Sequence, residues 1–211
     1  MKNKSLIIAC DGEAASGKST GAKLIAKKYN LFLLNSGLLY RYASKIILEH
    51  KPKKIFPFLN KRMKNLNYKR ISKLNLHTQK IDEFVGPLAK LKKVRLMMKK
   101  IQKKLIKNNN RICVEGRDIA STILKKNPRY DFAFYFRCNL NVASYRRWKD
   151  LKKKIPLKFV KKSLSKRSTM DKKRTYSPLK KMKDAYLIRS DKLSKKEMVY
   201  KMSKIIDNKI N

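Results

Sequence analysis

Acidic residues are scarce in this 211-residue chain, with 14 Asp and Glu against 57 Lys and Arg, a net charge of +43. Cysteines number three and histidines two. Cys10, Cys113 and Cys138 each sit in or beside an apolar run, and none pairs with another at metal-ligand spacing. That excludes a disulfide framework and fits small buried thiols in a reducing cytoplasm. His50 and His77 are too few and too far apart for a zinc site. There is no repeat period and no run of ~18 apolar residues, which excludes a repeat architecture and speaks against a membrane-spanning helix. The apolar stretch 6–10 is too short for a signal-peptide core and is ended by Asp11, so it reads as a buried first strand. The excess of positive charge suits nucleic acid or an anionic substrate. The lysines are nevertheless spread along the chain, as a compositional bias would leave them. One consequence concerns the acids: each carboxylate is placed against the trend.

What is present is an alternation of strands and helices. Strands are expected at 5–10, 31–35, 111–115, 131–137 and 185–188. Helices are expected at 18–29, 37–48, 88–106, 140–151 and 194–206. Ser194 and Glu197 open the last helix as a capping box. The strands are continuously apolar rather than alternating, so both faces should be covered, as in a parallel sheet of an α/β domain. Residues 50–86 read as irregular, punctuated by Pro52, Pro57 and Pro87. A basic stretch at 152–183 also stands outside the alternation. Both look like excursions from one core. The chain has enough length for that core and a mobile segment.

Four motifs carry chemistry. The first is Gly12-x4-Gly17-Lys18-Ser19, between a strand and a helix. Such a loop turns backbone N–H groups inward around phosphate oxygens and adds the positive end of the next helix. Lys18 supplies a mobile charge to the β/γ-phosphates and Ser19 can hold Mg²⁺. The second is Asn35 to Arg41, at a strand end that faces the ligand crevice in an open parallel sheet. There Ser36 could cap the helix and Arg41 could reach an anion. The third, Glu115-Gly116-Arg117-Asp118, follows the next strand in the same position; its Arg and Asp could also simply pair with each other. The fourth runs from Arg167 to Leu179. Between 152 and 183 there are 14 basic residues and a single acid, Asp171. Arg167 lies four residues before it and Arg174 three after, which suggests a helix face aimed at something specific. Phosphoryl transfer needs positioned arginines to stabilise its charge-spread transition state and to exclude water, and a mobile arginine lid does both.

With these motifs in order, the chain resembles the bacterial cytidylate kinases over almost its whole length. The resemblance rests on residues 8–20, 34–41, 115–118 and 167–179. The Ser-Gly-x-x-Tyr-Arg element and the last two motifs separate that family from adenylate, guanylate and thymidylate kinases. It implies a three-layer α/β/α P-loop fold on a five-stranded parallel sheet. A single domain 1–211 is then expected, with a core of 1–49, 88–151 and 184–211. A short acceptor-binding insert would occupy about 50–87 and a basic helical lid about 152–183.

The resemblance implies transfer of the γ-phosphoryl of ATP to CMP or dCMP with Mg²⁺, in the cytoplasm and by a monomer. Neither a membrane nor a specific nucleic acid is implied as partner. By carry-over, Gly12, Glu13, Ala14, Ala15, Ser16, Gly17, Lys18, Ser19 and Thr20 would hold the ATP phosphates. Arg41 and Arg117, with Ser36 and Tyr40 of the second motif, would hold the acceptor, while Arg95 and Asp118 match base contacts. Asp171 and Arg174 would engage the acceptor's sugar and the phosphates, and Arg167 would act from the lid. Lys18, Arg167 and Arg174 would carry catalysis. Asp118 has a physical logic: cytosine offers an N4 amino donor to a carboxylate, whereas uracil sets an oxygen there.

The chain departs from the family pattern at Glu13, where proline is usual, at Ser19, often glycine, and at Asn35, often aspartate. Residues 50–86 are shorter than the long-form insert, and Gly86 replaces an aligned serine. Another small-acceptor P-loop kinase (UMP/CMP, adenylate or shikimate type) is the alternative. A basic RNA-binding P-loop protein is a more distant one, since neither an aromatic platform nor an RNA-module signature is evident.

Overall fold

The structure, a computed structural model of the chain, describes residues 4–210; the outermost residues of the core ranges 1–49 and 184–211, namely 1–3 and 211, lie outside it. The elements run β1 (Leu6–Gly12), α1 (Lys18–Lys28), β2 (Phe32–Asn35), α2 (Ser36–His50), α3 (Ile55–Met63), α4 (Tyr68–Ser72), α5 (Gln79–Leu88), α6 (Lys92–Lys107) and β3 (Arg111–Gly116). They continue with a single π-helical turn (Ile119–Ile123), β4 (Phe132–Arg137), α7 (Leu140–Asp150), α8 (Leu157–Lys173), β5 (Tyr186–Arg189) and α9 (Lys195–Ile210). Two compact units divide them. One holds the residues up to Leu34 and from Ile106 onward, and the other is Asn35–Leu105.

The first unit is built on a five-stranded parallel sheet of order β2-β3-β1-β4-β5. β1 lies at its centre with every residue buried. That is why Leu6 to Cys10 can be apolar without alternation: helices and loops cover both faces. The register places Asp11 opposite Gly116 on β3, and Gly12 opposite Phe136 on β4. The phosphate-type loop after β1 and the Arg117–Asp118 pair after β3 therefore leave the sheet from the same edge.

The core of this unit joins Ile8, Cys10, Ala22, Ile25, Cys113, Phe134, Phe136, Ile188 and Met202. Gly21 shows how tightly α1 lies on β4. A Cβ there would come within 2.6 Å of the Phe136 ring. Glycine inside a helix costs about 1 kcal/mol against alanine, and here the aromatic ring takes the space that a methyl would need. α9 starts with the expected reciprocal cap. Ser194 N donates to Glu197 Oε2 at 2.7 Å, and Glu197 N donates to Ser194 Oγ at 3.2 Å.

β5 departs from the expectation of strands covered on both faces. It lies at the sheet edge, and Tyr186 and Leu187 are exposed while Ile188 alone is fully buried. The basic stretch after α7 contains the long helix α8, which packs on α7. On α7, the Tyr145 and Trp148 rings lie 5.8 Å apart between centroids, tilted by 36°, and Lys149 and Lys153 each lie over one ring. An aromatic pair of this kind, with Tyr145 exposed and Trp148 half-buried, is not evident in the sequence, because Tyr and Trp at this spacing read equally well as core.

The second unit has its own small core of Ile71, Leu76, Ile81 and Val85, flanked by Leu38, Tyr40, Tyr42, Leu48 and Leu66. Here the expectation of an irregular 50–86 segment is wrong, since the segment contains α3, α4 and most of α5. Pro57 falls in the first turn of α3, where no N–H is needed, and Pro87 in the last turn of α5. Asn67 and Thr78 cap the other two helices, accepting from Arg70 N at 3.1 Å and Ile81 N at 3.4 Å. The helix expected over 88–106 starts later: Leu88 is the last residue of α5, Leu91 is exposed, and α6 runs unbroken over Lys92–Lys107. Asn35, not Ser36, caps α2, its side chain accepting from Leu38 N at 3.3 Å. Among the described residues no helix is long and apolar enough to cross a membrane.

Candidate active site

The loop after β1 is shaped for an anion. Gly12 admits no side chain, since a Cβ would sit 2.4 Å from Phe136 O and 2.8 Å from Ser16 Oγ. Ala15 (φ 55°) and Gly17 (φ 78°) take left-handed conformations that turn the chain into α1. Gly17 is the N-cap of α1 and offers no side-chain acceptor. The helix's first N–H groups therefore remain for an external acceptor, reinforced by the helix dipole. Ser16 is fully buried, and its Oγ has no protein partner. An orphaned hydroxyl inside a glycine loop suits a phosphate oxygen.

Lys18 is buried at the loop's base, and its Nζ donates to Glu13 O at 3.2 Å. Burial lowers the ammonium to about 7, with the nearby charges of Arg117 and Arg167 lowering it further against Glu115 and Asp171. The missing counter-charge is of the kind that a phosphate chain carries.

Two buried carboxylates at this edge lie within the motifs but were given no role from the sequence. Glu115, the last polar side chain of β3, accepts from Ser19 Oγ at 2.7 Å. Asp11, on β1, accepts from Ile119 N at 2.9 Å and from Ala120 N at 2.8 Å. Burial pushes the Asp11 carboxyl up to about 7, against those two N–H bonds; Asp118 adds to the rise and Arg117 opposes it. The signal that could have found both lies in the composition: in a chain with 14 acids, a carboxylate inside an apolar strand is conspicuous.

Beside the loop runs a chain of charges. Arg117 Nε donates to Asp171 Oδ2 at 2.8 Å. Asp171 Oδ1 accepts from Arg174 at 3.2 Å, and the other end of that guanidinium lies 3.6 Å from Asp118 Oδ1. Arg117 and Asp118 are thus not partners of each other; each pairs with the segment at the C-terminal end of α8. Burial pushes the Asp171 carboxyl up, but Arg117, Arg167 and Arg174 outweigh it and hold it below the usual range. Lys172 also reaches Glu13, at 2.7 Å. Of the residues singled out from the sequence, this unit brings together the phosphate loop, Arg117, Asp118, Arg167, Asp171 and Arg174.

The remaining candidates belong to the second unit. Arg41 is buried, pairs with Asp82 and donates to Leu76 O at 3.0 Å. Arg95 is buried, donates to Ala89 O at 3.3 Å and lies over the Tyr40 ring at 5.8 Å. Ser36 is buried at the start of α2. Asp82 is a further residue that the sequence did not single out.

This arrangement of a phosphate loop, a buried lysine and clustered arginines has known relatives. The profile of the cytidylate kinase family matches residues 8–208. The chain belongs to that family. It is 31% identical to the cytidylate kinase of Clostridium tetani, with 97% of this chain and 95% of the relative covered. It is also 31% identical to that of Thermosipho melanesiensis, over 96% of this chain and 97% of the relative. Among solved structures, the shikimate kinase of Bacteroides thetaiotaomicron shares the fold. Its TM-score is 0.50 at 14% identity, with 96% of this chain and 98% of that one covered. Membership in the cytidylate kinase family makes this protein a nucleoside-monophosphate kinase.

Proposed function

We propose that the protein transfers the γ-phosphoryl group of ATP to CMP or dCMP, giving ADP and CDP or dCDP. The observation that carries this is the alternating chain Arg117–Asp171–Arg174–Asp118, set on the unit that also bears the phosphate loop. A loop alone specifies a triphosphate. Arginines held in place by carboxylates beside it specify what that triphosphate reacts with.

Each residue then has a task. Residues 12–20 cradle the ATP phosphates through backbone N–H groups and the Ser16 hydroxyl. Lys18 neutralises the β/γ-phosphates. Ser19 and Glu115 are hard oxygen donors, the kind that suits Mg²⁺ bound with ATP; the ion supplies charge neutralisation at the phosphates. Arg117 and Arg41 bind the acceptor phosphate, with Ser36, Tyr40 and Arg95 as the second unit's contribution on the family's pattern. Asp171 shares Arg117 and Arg174 between sugar and phosphates. Arg174 and Arg167 meet the charge that develops on the moving phosphoryl. A general base is unnecessary, because the attacking atom is a phosphate oxygen already ionised at neutral pH.

Asp118 accepts from the cytosine N4 amino group. Uracil would set a carbonyl oxygen against that carboxylate, a mismatch of about 1–3 kcal/mol. Every residue given a role in the chemistry comes from one chain, so a monomer suffices. Three buried free thiols fit a cytoplasmic enzyme. The test is a panel of acceptors with Mg²⁺-ATP. CMP and dCMP should turn over fastest. Faster turnover of AMP, UMP or shikimate would overturn the reading.

A further inference from the structure

The turn that follows Asp118 begins in an unusual way. Asp118 stands in the N-cap position of Ile119–Ile123, where an aspartate side chain ordinarily accepts the first orphan N–H groups. It makes no such bond. The capping is done instead by Asp11, 108 and 109 residues away in sequence, with one carboxylate oxygen on Ile119 N and the other on Ala120 N. Asp11 lies directly before Gly12, the first residue of the phosphate loop, and opposite Gly116 in the sheet.

We propose that Asp11 is a positioning residue for acceptor recognition: by capping the 119–123 turn from β1, it relieves the Asp118 side chain of the capping role and so keeps its carboxylate turned out of its own backbone. The proposal rests on the reading of Asp118 as the cytosine contact. The chemistry of the alternative supports it. If the two N–H groups lacked Asp11, the nearest carboxylate able to take one would be that of Asp118 itself, which would then turn into its own backbone. The base contact would be lost, and the Arg174 guanidinium would lose the carboxylate that now lies 3.6 Å away. Burial pushes Asp11 up to about 7 even with both N–H bonds in place, so ionising it costs the fold stability from pH ~4 upward, in full above pH 7. A cap drawn from β1 also ties Arg117 and Asp118 to the strand that carries the donor loop.

Asp11→Asn tests this. The amide keeps the shape but has one acceptor oxygen, and its NH₂ group faces the second N–H without bonding it. Steady-state kinetics with CMP and UMP are compared for wild type, Asp11→Asn, Asp118→Ala and the double variant, with thermal unfolding as a check on the fold. The ratio of kcat/KM for CMP over UMP should fall about tenfold in Asp11→Asn, with KM for ATP held within about twofold. In the Asp118→Ala background the same substitution should change the ratio no further. Should Asp11→Asn prove poorly folded, Asp11→Ser supplies the same comparison. An unchanged ratio in Asp11→Asn, beside a lowered one in Asp118→Ala, overturns the positioning role and leaves the base contact standing. A uniform loss for both acceptors, repeated in full in the double variant, assigns Asp11 to the fold alone and also overturns it. An unchanged ratio in Asp118→Ala removes the base contact, and the proposal with it.

Discussion

Lys18 should take up a proton when ATP binds. Its ammonium is buried, and that burial, with Arg117 and Arg167 nearby, lowers it from the ordinary value of 10.5 to about 7. At pH 8 about nine in ten free molecules then carry a neutral lysine. A triphosphate laid along the loop brings several negative charges against Nζ and returns the group to its charged form. Binding ATP at pH 8, where the nucleotide itself is fully ionised, should therefore consume about 0.9 proton per molecule. Above pH 7 the affinity for ATP should fall by up to about tenfold per pH unit. Calorimetric titration at pH 8 in buffers of different ionisation enthalpy reads the proton count directly. Lys18→Arg, always charged, should abolish the uptake. Binding enthalpy that is independent of buffer in the wild-type protein would refute the reasoning. The sign for the unliganded fold follows from the same shift. Between pH 7 and 10.5 the unfolded chain holds the proton that the folded one lacks, so the lysine's contribution makes stability rise with pH across that window. Lys18→Met should flatten that part of the profile.

Three further outcomes are expected. Arg174→Ala should lower kcat on the order of 10²–10³-fold while ATP binding, measured separately, changes little, and an equal loss in both would argue against a transition-state role. Asp171→Asn leaves Arg117 and Arg174 without the carboxylate between them and should cost about 3 kcal/mol at pH 7, roughly 6–12 °C in unfolding temperature. Because its carboxyl lies below the usual range, that contribution is present above pH ~4 and fades as pH falls through the folded value, so scans of wild type and variant should converge in acid. Gly21→Ala forces a methyl toward the Phe136 ring and should destabilise by about 1–3 kcal/mol, measurable by urea unfolding. Removal of the ring in a Phe136→Leu background should recover part of that loss.

The parallel sheet was legible in the chain because a strand buried on both faces, such as Leu6 to Cys10, cannot be mistaken for a solvated one. The phosphate loop was legible for a different reason: glycine and lysine at fixed spacing answer local steric and electrostatic needs. Helices α3 to α5 were not legible. Their prolines read as breaks, although Pro57 sits in a first turn where it does no harm, and Asn67 and Thr78 do not stand out as caps in so polar a segment. The partners of Arg117 and Asp118 were also hidden. Adjacent residues of opposite charge invite local pairing, whereas the actual partners lie more than fifty residues further on in the chain. Asp11 and Glu115 were visible as carboxylates in apolar strands, but what they accept from is a matter of sheet register, which no single segment encodes.

The neighbouring rings of Tyr145 and Trp148 have a practical consequence. Trp148 is the chain's single tryptophan, so excitation at the red edge of its absorption reports on one place. That place is the helix packed against α8, with the Lys153 ammonium over the indole at 5.2 Å. A charge at that distance shifts indole emission, and Lys153 lies on the link between α7 and α8. Any movement of α8 that drags this lysine would change the colour of the protein's own light. The chain therefore carries a native optical probe of its arginine-bearing helix, readable in a stopped-flow instrument without a label.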